Sequence, residues 1–175
     1  MKNKIKKIAV ALLAFTVGCA SLTGCNVRQD TIRFGAAGVG GGYYAFATAY
    51  TQLANAEDAE MNFKIKSTAG SMANLRLLSE GYVDVAIAQA DLATAAYYGT
   101  DEKGESYQGY RVLAGLYTEA CQIVVCKDSG IKSLDDLQGK TVSIGEAESG
   151  TERNASQILQ VSGLASPITE TVNLT

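Results

Sequence analysis

The sequence predicts an α/β fold built on a mainly parallel sheet. Three observations carry that expectation. Strand-like and helix-like patterns alternate from residue 31 onward. The run "VDVAIAQ" is apolar almost throughout, as in a strand covered on both faces. Four strand-to-helix junctions are made of glycine and small polar residues, the composition of ligand-facing turns at the C-terminal ends of parallel strands.

The elements follow in order. The first 24 of the 175 residues read as an export leader. Lys2, Lys4, Lys6 and Lys7 precede an apolar stretch from Ile8 to Val17, which is shorter than the ~20 residues of a spanning helix. The leader closes on "LTGC", which resembles the lipobox cleaved before its cysteine, so Cys25 is expected to become the lipidated first residue. Residues 25–30 form a tether. "TIRFGAA" reads as a strand and "YYAFATAYTQLAN" as a helix. "NFKIKST" is a second strand, and "GSMANLRLLSEG" is a helix with Ser71 as its cap and Gly81 past its end. "VDVAIAQ" and the helix start "DLATAAYYG" follow, then a polar surface loop. "YRVLAGLY" and "CQIVVCK" read as two more strands. "SLDDL" is a short helix with Ser133 and Asp136 at capping spacing. "KTVSIG" is a strand, "GTERNASQILQVSG" a helix stopped by Gly163 and Pro167, and "ETVNLT" a last strand. A domain crossover is expected near residues 117–121, giving a first lobe over 31–117 and the start of a second over 118–175.

Charge and composition exclude several classes. Of 15 basic residues four leave with the leader, which holds none of the 18 acidic ones, so the mature chain carries −7. An acidic chain with no basic run is not built for nucleic acid. There is no histidine and no CxxC pair, so a transition-metal site is not expected. No cofactor is expected either. Without histidine nothing obvious activates Ser71, Ser149 or a cysteine as a nucleophile, although a carboxylate pair stays open. Cys121 and Cys126 bracket "QIVV". In one strand they stand ~16 Å apart, beyond the ~7 Å a disulfide allows. They are read as unpaired, buried or half-buried residues.

The candidate site residues lie at the junctions. "GVGGGYYA" places Gly41, Gly42, Tyr43 and Tyr44 at a helix start. Its glycines fit a dinucleotide fingerprint formally, but the next strand ends "KIKSTAG", without the acidic residue that would hold a ribose. Thr68, Gly70 and Ser71 form a second junction, with Asn74 one turn inside. Leu75, Leu77 and Leu78 read as core and Arg76 as a solvated side chain. Gln89 and Asp91 follow the third strand, Tyr117 and Glu119 sit at the crossover, and Ser149, Gly150 and Thr151 open the last helix. A helix start offers free N–H groups and a partial positive charge to an anion. At each junction taken singly, capping explains the residues as well as binding does, and Ser149 with Glu152 makes a formal capping box.

The blocks "GAAGVGGGYYAFATAY", "STAGSMANLRLLSEGYVDVAIAQAD", "LAGLYTEACQIVV", "SGIKSLDDLQGKTVSIG" and "SGTERNASQIL" occur in that order. Over residues 31–164 they resemble the TAXI class of TRAP-transporter solute-binding proteins. The resemblance implies a type II periplasmic-binding-protein fold, two α/β lobes around a cleft, with the second lobe incomplete here. It implies a non-enzymatic role: capture of a small organic anion (a dicarboxylate, amino acid or 2-oxoacid) and delivery to TRAP membrane subunits, from a lipid anchor on the outer face of the cell membrane. The binding lobe of an ATP-driven importer or of a sensor is the alternative, and a surface enzyme using paired carboxylates a further one. The sequence departs from the family pattern before "SGTE", where Gly-Ala-Pro-Gly is replaced by Gly145-Glu146-Ala147-Glu148.

Overall fold

A computed structural model describes residues 30–58, 60–100, 103–165 and 170–172. The leader, Cys25 and Pro167 lie outside the described residues. The elements are β1 (Thr31–Gly35), α1 (Gly42–Glu57), β2 (Asn62–Lys66), α2 (Ser71–Ser79), β3 (Val85–Ala86), α3 (Ala90–Tyr98), a 3-10 turn (Leu134–Leu137), β4 (Thr141–Ser143), α4 (Gly150–Val161) and β5 (Glu170–Val172).

The first sheet is parallel, ordered β2–β1–β3. β1 pairs with β2 from Thr31 opposite Asn62 to Gly35 opposite Lys66, and with β3 at Phe34 opposite Val85. That register places Ile32, Phe34, Phe63, Ile65 and Val85 together beneath Ala47 of α1. Tyr50 of α1 meets Phe34 and Phe63 edge-on, with ring centroids 5.9 and 5.6 Å apart. Gly35 points to the opposite face, where a Cβ would lie 2.9 Å from Asn74 Oδ1, so the approach of α2 requires glycine there. Met72 and Leu75 of α2 pack on Ala96 of α3, with Tyr107 and Tyr110 against them.

A second sheet pairs β4 with β5 in parallel, Thr141 opposite Glu170. Leu137, Ile144, Leu159 and Leu164 form its core with α4. The 3-10 turn is closed by the expected capping box, Ser133 with Asp136.

Several expectations are corrected. β3 is only two residues long. Val83 and Ile87 are buried as the apolar run required, but the Ile87 carbonyl accepts from Asn74 Nδ2 at 2.8 Å. Ser71 does not cap α2. It is the first helical residue after Gly70, and its hydroxyl accepts from the Gln89 N–H at 3.2 Å. Leu75 is core, whereas Leu77 and Leu78 are half-buried. Arg76 is not simply solvated, because it pairs with Glu148 and Glu80.

The largest difference is over residues 110–126, where no strand forms. Val112 is 79% exposed and Val124 85%. A strand needs a neighbour to take its N–H and C=O groups, and no described strand pairs with this segment. Cys121 and Cys126 are free, as expected, but both are exposed, because they sit in this unpaired stretch and not in a covered strand. Among the described residues no helix is long and apolar enough to cross a membrane.

Candidate ligand-binding site

The turns that follow β1, β2, β3 and β4 meet around a cavity of about 820 Å³. Gly42 and Tyr43 reach it from α1, Gly70 and Ser71 from α2, and Gln89 from the start of α3. Ser149, Gly150 and Thr151 reach it from α4, and Glu119 from the unpaired stretch 110–126. The remaining candidates lie elsewhere. Asn74 is fully buried. It donates to the carbonyls of Ala36 and Ile87, and its Oδ1 accepts from the Thr68 hydroxyl at 2.7 Å. Asn74 and Thr68 therefore bind the ends of the strands together behind the cavity. Asp91 is exposed in the first turn of α3, and Gly41 is the backbone N-cap of α1. Tyr44 packs against the core under α1. Tyr117 is half exposed, with its hydroxyl near Gly42.

Polar groups at the cavity are partly committed to one another. The Tyr43 hydroxyl donates to Glu119 Oε2 at 2.9 Å, joining α1 to the stretch 110–126. Burial pushes the Tyr43 phenol well above its ordinary value; the bond to Glu119 adds to this and one from Ser71 opposes it. Ser149 caps α4, accepting from the Glu152 N–H at 3.0 Å. The Glu152 carboxylate takes the Glu148 N–H at 2.8 Å, one residue before the partner a regular capping box would use.

The two helix starts are not equivalent. The N–H groups of Met72 and Ala73 in α2 both donate to the Glu148 carbonyl at 3.1 Å, so that start is occupied from within the chain. Thr151, at the start of α4, is exposed to the cavity. Glu148 also pairs with Arg76 at 2.9 Å, and this guanidinium holds its carboxyl below the ordinary value. The two turns abut closely: Gly150 lies against Gln89 Oε1 and Ser71 Oγ, with no room for a Cβ.

Sequence reasoning missed Asn154 and Lys140. Asn154 lies one turn along α4 from Thr151, and Ala155 and Ile158 continue the same cavity face. That helical spacing was available as a signal. Lys140 precedes β4 and so stands at the end of the strand where ligands are not expected, and nothing in its neighbourhood marks it. Ile123, Val125, Val142 and Leu159 supply an apolar wall. Among the described residues no group of three or more Cys, Asp or Glu is gathered to hold a metal.

Strand-end turns gathered around an open cavity, with an apolar wall and a few placed polar groups, define an α/β binding protein. The model of the NMT1-like family matches residues 34–174, and the chain belongs to that family, which is of the periplasmic solute-binding type.

Proposed function

We propose that the protein captures a small organic anion outside the cytoplasm and delivers it to the membrane subunits of a TRAP-type transporter, held at the membrane by lipid on Cys25 and without enzymatic turnover. The observation that carries the reading is the start of α4, which presents Thr151 and the N-terminal end of a 12-residue helix to the cavity. The carboxylate end of the solute is placed there. Glu119 lies on the same cavity and favours a solute that also carries an ammonium group. Of the dicarboxylate, amino acid and 2-oxoacid classes, an amino acid meets both demands.

The test begins with native mass spectrometry of protein purified without denaturation, to identify the retained solute. Thr151→Val then removes one hydroxyl outside the capping interaction, since Ser149 is the cap. A hydrogen bond to a charged ligand is worth ~1.5–3 kcal/mol, roughly ten- to a hundredfold in affinity. Calorimetry should show at least tenfold weaker binding, with little change in the melting point of the empty protein. Affinity unchanged within twofold would mean that the α4 start is a helix cap and no more.

A further inference from the structure

Glu148, next to the cavity-lining Ser149, combines four features. Its φ is +63°, the left-handed region that side-chain-bearing residues seldom adopt, and it is the one non-glycine residue with positive φ among the described residues. Its carbonyl accepts from two N–H groups of the first turn of α2, Met72 and Ala73. Its carboxylate takes the fork of Arg76, with Nε at 3.2 Å and Nη2 at 2.9 Å. Its own N–H is tied to Glu152, so it moves with α4.

We propose that Glu148 is an internal latch, which holds the α4 turn against the α2 turn and occupies the helix start that an anion would otherwise reach. The backbone supports this. First-turn N–H groups have no partner inside their own helix, so a carbonyl delivered from another element satisfies them. Ser149 is seated on Gly70, where a Cβ would stand 3.4 Å from Ser149 Cα. The carboxylate supplies the part that can be switched. Arg76 and Glu148 are 33% and 41% exposed, so water can replace their pairing without opening the core. The strained φ favours release, while the ion pair and the two N–H···O bonds favour closure, the balance a bistable element needs. The latch is a property of the contact and does not depend on which solute the cavity takes.

The contact can be read in the solute-free full chain by amide hydrogen exchange. The Met72 and Ala73 amides report the latch. The Ala36 and Ile87 amides, bonded to Lys66 and Gly35 in the first sheet, report the fold. In the wild type the latch amides should exchange by local opening, faster than the sheet amides and insensitive to low urea. Arg76→Gln and Glu148→Gln should each speed them roughly three- to fivefold and leave the sheet amides unchanged. The charge reversal Arg76→Glu with Glu148→Arg, made together with Glu80→Gln because Arg76 also pairs with Glu80, should bring them back to the wild-type rate. If latch and sheet amides exchange together in wild type and variants, the contact is a fixed part of the fold and the latch is wrong. Unchanged latch amides in both single variants would also overturn it.

Discussion

Asn74 offers the strongest test of how the strand ends are held. It is fully buried, and its amide nitrogen donates to the carbonyls of Ala36 and Ile87, the latter at 2.8 Å. Asn74→Ala removes both donations. Ala36 keeps a partner in the Thr68 hydroxyl, 2.7 Å away, so the Ile87 carbonyl is the group left without this bond. An orphaned buried polar group costs about 1–3 kcal/mol, and the space vacated by the amide adds to it, for a total of about 2–4 kcal/mol. At ~3 kcal/mol the midpoint falls by roughly 6–12 °C in a domain of this size. Thermal melting followed by circular dichroism measures it. Asn74→Asp sharpens the test, because it sets a carboxylate against carbonyl oxygens with no N–H to offer. Burial raises its folded-state pKa, so the folded form binds a proton that the unfolded form has lost at neutral pH. Stability of Asn74→Asp should therefore recover as pH falls from 7 to 5, while Asn74→Ala stays flat. A cost below about 1 kcal/mol for Asn74→Ala, or no pH slope for Asn74→Asp, would refute the role of the amide.

Two further outcomes are expected. Arg33 donates to both oxygens of Asp84 at 2.8 Å and holds its carboxyl down at about 2, chiefly through these hydrogen bonds. A depressed carboxyl stabilises above its unfolded pKa and loses that contribution as pH falls from about 5 toward 2; because both side chains are more than a third exposed, Asp84→Asn should flatten the acid limb of the stability curve by no more than ~1 kcal/mol. Cys25→Ala should release the protein from the membrane fraction or leave its precursor uncleaved, and a wild-type protein recovered soluble with its amino terminus elsewhere would end the lipid-anchor reading.

Most of the first sheet was legible because its local signals agree with one another. Ile32, Phe34, Phe63 and Ile65 alternate with polar residues, and the glycines that end α2 and α3 fall where the helical pattern stops. The capping residues Ser133 and Ser149 were legible for the same reason, since a cap is decided within four residues. Residues 110–126 were not. "YRVLAGLY" and "CQIVVC" have strand composition, but a strand is a relation between two segments, and composition cannot supply the second. The two-residue length of β3 was hidden likewise, because the Ile87 carbonyl goes to an amide 13 positions earlier.

The site divides along the same line. Which turns gather was readable, because parallel strands put their C-terminal ends on one edge wherever the chain runs strand, turn, helix. Which of their groups face a ligand was not, because that depends on what the rest of the chain has already taken. Ser71 reads as a cap but accepts from Gln89, and Asn74 reads as a ligand group but serves the carbonyls of the sheet. The N-terminus of α2 reads as an anion site but carries the carbonyl of Glu148. In all three cases a hydrogen-bonding group near the cavity is used by a partner distant in sequence. The candidates with most claim on a ligand are therefore those the chain leaves facing the cavity, Thr151 and Asn154 on α4. Glu119 can serve only while sharing its carboxylate with Tyr43. A solute ammonium that took this carboxylate would draw on the same oxygen that holds α1 to Glu119. Binding there would be coupled to the position of the stretch 110–126, which no strand pairing fixes.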